Sequence, residues 1–344
     1  MSLQTQFNKF NETISLSWQD DKIKNIREKN DSILEDIKEK FKEKGYPVVD
    51  SFKQGSYITN TTIEPLDKEY DIDVGIVIDD GKAPENPIDI KKTLRDVLLA
   101  RNFKEPKIKK PCVTAQYFKA GEKSFHLDYP IYKRNKFNTY YLAVGKEHSS
   151  SDDRKWEESD PKGLIEWLND KKSFTNDEAY QQYKRLIRYM KRWRDYCITG
   201  TERKKIYSIG LAIMIKESFA MSISSDGDIN DIVALQNTVN NMKSKYFDCI
   251  DYENTKYNVK VRLPVEPKRD VFDKHGLTVG TLLYNKLDKL LSNIDAVNKE
   301  DTLIKKCELL KKNCFGDDFP VPDKEDNDIK TFKEAGYISS PQGA

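Results

Sequence analysis

The sequence has 344 residues, long enough for one large domain or two ordinary ones, each with its own hydrophobic core. Charged residues make up 34% of the chain, but 59 Lys and Arg nearly balance 57 Asp and Glu, which argues against a globally basic nucleic-acid binder. No apolar run approaches the roughly 20 residues of a membrane span and the N-terminus lacks a secretion-signal pattern, so we expect a cytoplasmic protein with no membrane partner. The five cysteines form no C-x-x-C pair and there are only three histidines, so neither a zinc site nor a disulfide framework is supported.

The first third of the chain predicts a long amphipathic helix followed by interleaved strands and helices. Apolar residues between positions 21 and 47 recur at steps of three, four or seven, and a glycine and a proline end the pattern. A second helical pattern covers residues 86–103. Runs rich in β-branched and aromatic residues predict strands at 48–52, 70–78, 112–118 and 124–132. This order is typical of an α/β or α+β core.

The run YDIDVGIVI, residues 70–78, places two aspartates in an otherwise apolar strand. Because side chains alternate between the faces of a strand, Asp71 and Asp73 project to one face while Ile72 and Val74 point into the core. The two carboxylates then lie about 7 Å apart along the strand. Charges in a buried strand are unfavourable unless they are neutralised, and a divalent cation would neutralise them.

A third aspartate lies in the run SFHLDYPIY, residues 124–132. The same alternation sends His126 and Asp128 to one face. If this strand neighbours residues 70–78, Asp128 completes a three-carboxylate cluster of the kind that holds two Mg²⁺ or Mn²⁺ ions against a triphosphate. Glu122 is the nearest alternative to Asp128. His126 is expected to be a hydrogen-bonded bystander, with contact to a base or to a metal ligand as the alternative.

Gly55 and Ser56 precede this cluster in the chain. A glycine lets backbone N–H groups approach phosphate oxygens closely, and a serine hydroxyl adds a donor. The pair is not a Walker loop, because the G-x-x-x-x-G-K-[ST] pattern is absent. A Gly-Ser pair or a D-x-D motif alone is weak, but in this order, with a third strand-borne aspartate, they predict a metal-dependent nucleotide site.

These motifs resemble the polymerase β-type nucleotidyltransferases and, more narrowly, the bacterial cGAS/DncV-like nucleotidyltransferases (CD-NTases) of CBASS anti-phage defence. Further segments are similar to that family in the same order: ESDPKGLIEWLND, YKRLIRYMKRWRDY, IYSIGLAIMI, LPVEPKRDVFD and CFGDDFP. The resemblance spans nearly the whole chain. It implies a cyclic oligonucleotide synthase that joins ribonucleoside triphosphates, with ATP and GTP as expected ligands, and releases pyrophosphate into an antiviral signalling pathway.

The resemblance also implies the residues of the site. Three catalytic, metal-binding carboxylates would be Asp71, Asp73 and Asp128. Five residues would bind the nucleotide, chiefly through its phosphates: Gly55, Ser56, Arg188, Lys191 and Ser208. On the helix YKRLIRYMKRWRDY, the remaining arginines Arg185, Arg192 and Arg194 are expected to form a solvated basic face. The Lys-rich segments 103–111 and 201–207 are predicted to be exposed loops, with an RNA-activator surface as the alternative.

The expected architecture is bilobal and α+β. Residues 1–158 would form a nucleotidyltransferase sheet braced by the long N-terminal helix, residues 159–325 a helical lobe with the site in the cleft between them, and residues 326–344 a flexible tail. Asp160 would cap the first helix of the second lobe, with Pro161 at its first position. Three alternatives remain: a linear oligoadenylate synthetase-like enzyme, a nucleotidyltransferase toxin acting on RNA or protein, and a catalytically silent module that binds nucleotide or RNA.

Overall fold

A computed structural model of the chain describes residues 2–17, 20–67, 70–119, 122–224 and 227–323, so the expected tail lies outside the described residues. The helices are α1 (Gln4–Ile14), α2 (Asp21–Glu43), α3 (Gly55–Ile58), α4 (Pro87–Ala100), α5 (Pro161–Asn169), α6 (Asp177–Cys197), α7 (Gly200–Arg203), α8 (Ser208–Ser218), α9 (Asp231–Tyr246), α10 (Gly276–Lys299) and α11 (Leu303–Leu310). The strands are β1 (Val48–Lys53), β2 (Tyr70–Asp79), β3 (Lys107–Ile108), β4 (Val113–Lys119), β5 (Glu122–Tyr129), β6 (Ile131–Arg134), β7 (Tyr140–Val144), β8 (Lys155–Ser159), β9 (Phe247–Asp251) and β10 (Lys256–Val259).

Strand β2 is the centre of the main sheet. β1 pairs antiparallel with one edge of β2, and both β5 and β6 pair parallel with its other edge. β5 and β6 keep the same register along β2 on either side of Pro130, whose carbonyl oxygen accepts from the Ile76 N–H at 2.9 Å. The hairpin partners β4 and β7 then extend the sheet outward from β5 and β6.

Helices α2 and α4 pack against one face of this sheet. The apolar side chains that gave the helical spacing of α2 are all buried there, together with Ile72, Val74 and Leu127. The α2 side chains are Ile23, Ile26, Ile33, Ile37 and Phe41. The predicted mixture of helices and strands, the bracing helix and the alternation along β2 are thus confirmed, and the fold is α+β.

The second half of the chain forms a separate helical core around α6, α8, α9 and α10. Helix α5 opens it as predicted, because Asp160 accepts a hydrogen bond from the Gly163 N–H at 2.8 Å and Pro161 is the first helical residue. Helix α1 also packs here, with Phe7 and Phe10 among the aromatic rings of the helical core. The division at residues 158 and 159 stays a proposal, in which we now group α1 with the helical half.

One finding concerns membranes. Among the helices that the structure describes, none combines the length and the apolar character that crossing a bilayer requires.

Candidate active site

Two neighbouring strands bring the three predicted carboxylates together. In the parallel pairing of β2 with β5, Asp71 lies beside His126 and Asp73 lies beside Asp128. Because paired residues point to the same face of a sheet, all four side chains lie on the face opposite α2 and α4. Glu122, the alternative third carboxylate, pairs with Lys119 at the other end of β5. Asp128 is therefore the third member of the cluster.

The cluster has the composition of a metal site. Asp71, His126 and Asp128 each offer a ligand atom, and these atoms all lie within 4.8 Å of one another. His126 Nε2 lies 3.1 Å from Asp71 Oδ1, so His126 contacts a predicted metal ligand, which is the alternative to a bystander role. Burial lowers the pKa of His126, but the hydrogen bond to Asp71 and the charges of Asp71 and Asp128 outweigh it and raise the pKa.

Asp73 shows that the positive charge near the cluster does not balance its three carboxylates. Its pKa is raised well above the ordinary value, first by burial and then by repulsion from Asp71 and Asp128. Carboxylate oxygens are the ligands that Mg²⁺ and Mn²⁺ prefer, and a divalent cation among these residues would supply the missing charge. The residues present therefore fit a divalent metal centre.

Two further side chains hold Asp128. Thr114 is paired with Asp128 across β4 and β5, and its hydroxyl donates to Asp128 Oδ1. Lys109 Nζ lies 3.3 Å from Asp128 Oδ2. Lys109 belongs to the segment 103–111 that was predicted to be an exposed loop, so this contact is a correction. Lys109 comes to lie beside Asp128 through two pairings, β3 with β4 and β4 with β5, and the sequence pattern specifies neither.

Gly55 and Ser56 lie directly on this carboxylate cluster. Gly55 has φ +69°, and a Cβ built on it would lie 2.4 Å from Asp73 Oδ2. The Gln54 N–H donates to the Asp73 carbonyl oxygen at 2.9 Å, which fixes the start of α3 on β2. The Ser56 hydroxyl accepts from the Thr62 hydroxyl at 3.1 Å. A glycine is required here because only a residue without Cβ lets the chain approach Asp73 so closely.

A cleft of about 430 Å³ joins the two halves at this point. Gly55, Ser56, Asp71 and Asp73 line it from the sheet, and Lys191 and Ser208 line it from the helical half. Apolar side chains also line the cleft: Leu164, Ile209, Leu263 and Val265. The cleft thus offers polar groups suited to phosphates and cations together with apolar side chains suited to a base.

Lys191 and Ser208 reach the cleft from α6 and from the first residue of α8. Lys191 is only 6% exposed, and its Nζ donates to the Thr61 carbonyl oxygen at 2.8 Å. Burial, and then the charge of Arg194, lowers the pKa of Lys191 to about 7. The Ser208 hydroxyl accepts from Arg194 Nη1 at 2.7 Å.

Arg188 lies outside the group of residues that line the cleft. Its guanidinium donates to Asn11 Oδ1 at 2.7 Å and to the Asn60 carbonyl oxygen at 2.6 Å. These contacts join α1 and the segment after α3 to α6. These contacts give Arg188 a structural role, and its part in nucleotide binding stays a prediction.

The solvated basic face expected for α6 is wrong. Arg192 is 1% exposed and donates to the Glu64 carbonyl oxygen at 2.7 Å. Arg185 forms an ion pair at 2.7 Å with the fully buried Asp231, and Arg194 holds Ser208. All three guanidinium groups bind acceptors that lie outside α6. The spacing of residues along one helix does not show where such acceptors lie.

The fold and the arrangement of the carboxylates, the Gly-Ser turn and the basic helix define a nucleotidyltransferase. The family model described as "SMODS: Second Messenger Oligonucleotide or Dinucleotide Synthetase domain" matches residues 1–172, half of the 344-residue chain. The chain therefore belongs to the SMODS family.

Individual relatives agree with that family. A cyclic GMP-AMP synthase from Escherichia albertii is 28% identical over 212 residues, which are 59% of this chain and 44% of that protein. The chain thus matches less than half of the length of this relative. Among solved structures, the Vibrio cholerae DncV cyclic AMP-GMP synthase, a prokaryotic cGAS homolog, is similar with a TM-score of 0.69 at 17% identity, covering 94% of this chain and 98% of that one.

A second solved structure extends the comparison. The Bradyrhizobium diazoefficiens CD-NTase CdnG, in complex with GTP, is similar with a TM-score of 0.65 at 15% identity, covering 92% of this chain and 96% of that one. At these identities the structural likeness establishes the fold. Together with the family match, it confirms the resemblance to the bacterial cGAS/DncV-like nucleotidyltransferases.

Proposed function

We propose that this protein is a cyclic oligonucleotide synthase, which joins ribonucleoside triphosphates into a cyclic di- or trinucleotide and releases pyrophosphate. The observation that carries the proposal is the register of β2 and β5, in which Asp73 lies beside Asp128. Gly55 approaches Asp73 closely, and Lys191 lines the same cleft from the helical half. The Bradyrhizobium relative was solved with GTP and the Vibrio relative is a cyclic AMP-GMP synthase, so ATP and GTP are the first substrates to test. Because its substrates are ribonucleoside triphosphates, we place the enzyme in the cytoplasm.

In the proposed reaction, a 2′ or 3′ hydroxyl of one nucleotide attacks the α-phosphorus of another and displaces pyrophosphate. Asp71, Asp73 and Asp128 would hold two Mg²⁺ or Mn²⁺ ions, which supply positive charge for the phosphates and lower the pKa of the attacking hydroxyl. Asp128 accepts the proton of that hydroxyl or orients the group that does, while Thr114 and Lys109 fix its carboxylate.

The chain's own donors would bind the triphosphate. Four residues that line the cleft offer such donors: the backbone at Gly55, the hydroxyls of Ser56 and Ser208, and the ammonium of Lys191. Charge-assisted hydrogen bonds of this kind position the α-phosphorus for in-line attack. An adjoining recess of about 350 Å³ shares Asp71 and Ser208 with the cleft, and Arg194, Arg203 and Lys204 line it together with Asp67 and Asp195. We propose this recess as the exit for pyrophosphate.

The biological role that we propose is bacterial anti-phage signalling, in which the cyclic product activates an effector. Its support is membership of a family described as second-messenger synthetases. An RNA activator is part of the proposal because basic side chains of the segments 103–111 and 201–207, including Lys104, Lys107 and Lys204, remain exposed.

The direct test is to incubate the purified protein with all four ribonucleoside triphosphates and Mg²⁺ or Mn²⁺, with and without double-stranded RNA. A folded Asp71→Asn/Asp73→Asn variant is the control, and mass spectrometry identifies products after phosphatase treatment. A phosphatase-resistant cyclic product made only by the wild type supports the proposal. A phosphatase-sensitive oligoadenylate, label transferred to a macromolecule, or nucleotide binding without pyrophosphate release would each replace it with one of the alternative functions.

Loss of the Ser56 hydroxyl should weaken the reaction without abolishing it. In Ser56→Ala we expect kcat/KM to fall roughly 10- to 150-fold, since a hydrogen bond to a charged group contributes about 1.5–3 kcal/mol. Steady-state pyrophosphate release measures the effect. Ser292→Ala, which removes an exposed hydroxyl on α10 that donates to the Asp288 carbonyl oxygen of the same helix, is the matched control and should retain full activity. Equal activity of the two variants would remove Ser56 from the site.

Nucleotide binding should take up a proton at Lys191. With a pKa of about 7 in the unliganded protein, Lys191 is mostly neutral at pH 8. A bound triphosphate favours the ammonium and raises its pKa, so the added affinity is fully present below pH 7 and is lost as pH rises through the pKa of the complex. Calorimetry with a non-hydrolysable ATP analogue at pH 8, in two buffers of different ionisation enthalpy, measures the uptake. Proton uptake that persists in Lys191→Met would assign it to another group.

A further inference from the structure

The segment 58–64, which follows the Gly-Ser turn and which we call the strap, is held by the helical half through its carbonyl oxygens. Five of its seven residues have a carbonyl oxygen that accepts a hydrogen bond from a side chain of α5 or α6. The pairs are Asn169 to Ile58 at 3.1 Å, Lys184 to Thr59 at 2.8 Å, Arg188 to Asn60 at 2.6 Å, Lys191 to Thr61 at 2.8 Å and Arg192 to Glu64 at 2.7 Å. The donors on α6 are spaced so that they share one helix face.

The strap in turn holds Ser56. The Thr61 N–H and the Thr59 hydroxyl both donate to the Ser56 carbonyl oxygen, at 2.9 and 3.2 Å. The Thr62 hydroxyl donates to the Ser56 hydroxyl at 3.1 Å. The position of the strap therefore sets both the backbone and the side chain of Ser56.

Lys184 is the central donor of this arrangement. It is 2% exposed, and its Nζ contacts three oxygens from three residues: the carbonyls of Thr59 at 2.8 Å and Leu168 at 3.3 Å, and Asn169 Oδ1 at 2.9 Å. Burying an ammonium is unfavourable unless such acceptors surround it, and an apolar side chain would fill the same space without the desolvation free energy of a charge. The contacts join the strap to the C-terminal turn of α5.

Lys184 is not among the residues that line the catalytic cleft, yet both segments that it joins reach that cleft. Thr59 lines it from the strap, and Leu168 lines it from α5. We propose that Lys184 is a positioning residue, which fixes the strap against α5 so that Ser56 faces the triphosphate. This inference rests on the proposed function, because it concerns how the same nucleotide is bound.

The test compares two lysines that hold the same end of α5. In Lys184→Met the bond to the strap is lost. In Lys216→Met, the matched control, the bond to the Trp167 carbonyl oxygen one residue away and the contacts with the Trp167 and Phe174 rings are lost, and neither of these residues belongs to the strap. Calorimetry with a non-hydrolysable ATP analogue and Mg²⁺ gives the affinity of each folded variant. Thermal unfolding without ligand gives the stability of each.

We expect Lys184→Met to bind the analogue at least about tenfold more weakly than the wild type and Lys216→Met to bind within about twofold of it, because small displacements of a positioning group have large effects. In the synthesis assay, Lys184→Met should raise KM for ATP more than it lowers kcat. Asn169→Ala, which removes the donor to Ile58 and one acceptor of Lys184, should weaken binding about threefold. If Lys184→Met does not fold, the affinity of Asn169→Ala is compared with that of Lys216→Met instead.

The outcomes separate this inference from the proposed function. If the wild type binds no triphosphate analogue, the proposed function fails and the role of Lys184 fails with it. If the wild type binds and folded Lys184→Met binds equally well, the positioning role is overturned while the proposed function stands. Equal weakening in Lys184→Met and Lys216→Met would likewise overturn it, because the effect would then belong to the packing of α5.

Discussion

Replacing Asp73 with asparagine should lower the rate of oligonucleotide synthesis at least about a thousandfold, equivalent to about 4 kcal/mol in the activation free energy. Asp73 is the carboxylate that faces Asp128 across the strands and lies against Gly55. Asparagine keeps its size but offers a neutral oxygen, so a cation held by all three carboxylates loses a charged ligand. The measurement is the initial rate of pyrophosphate release at saturating nucleotide and Mg²⁺.

The same substitution should stabilise the protein in the absence of metal. Burial and the charges of Asp71 and Asp128 raise the pKa of Asp73, so its ionised form is unfavourable in the folded state at neutral pH. Asparagine removes that charge, and we expect a higher Tm for Asp73→Asn than for the wild type without metal. If Asp73→Asn is more stable than the wild type and yet inactive, Asp73 serves the reaction and not the stability of the fold.

Asp79→Asn is the matched control for this prediction. Asp79 lies at the end of the same strand, is exposed and accepts a hydrogen bond from the Gly81 N–H at 2.9 Å. Its replacement should leave the rate within about twofold of the wild type, since surface substitutions away from special features have small effects. Half of the wild-type rate in folded Asp73→Asn would show that the three carboxylates do not form the catalytic metal site.

Local patterns were sufficient to predict the first half of the fold. Burial of Ile72 and Val74 follows from the period of two along β2, and burial of Ile26 and Ile33 follows from the helical spacing of α2. These periods depend only on backbone geometry within one element. The pairing of β2 with β5 brings together residues far apart in the chain. From the sequence, the proximity of Asp73 and Asp128 could be predicted only on the assumption that these two strands are neighbours.

Long-range contacts explain what the sequence did not reveal. The arginines of α6 were expected to be solvated because a basic residue on an amphipathic helix is usually exposed. Their acceptors are carbonyl oxygens such as that of Glu64 and the carboxylate of Asp231, and neither acceptor leaves a signal in the sequence of α6. The sequence of α1 likewise does not show which half of the protein this helix packs against, although Phe7 is buried in the helical core.

Gly55→Ala should be the most damaging single-atom addition in the site. A methyl group at Gly55 would lie 2.4 Å from Asp73 Oδ2, and the backbone at φ +69° disfavours any residue with a Cβ. Either the Asp73 carboxylate or the Gly-Ser turn must move, so we expect the rate of synthesis to fall at least about a hundredfold. The backbone strain should also lower the free energy of unfolding by about 1–2 kcal/mol.

Gly45→Ala separates the two effects of that substitution. Gly45 follows α2 with φ +87°, and a Cβ built on it meets nothing within 4 Å. It shares the backbone strain without the contact to a carboxylate, so its stability should fall by a similar amount while its rate stays within about twofold of the wild type. Chemical denaturation and pyrophosphate release on the same preparations measure both quantities. If both alanine variants lose activity equally, the loss comes from general destabilisation, and the close approach of Gly55 to Asp73 has no part in catalysis.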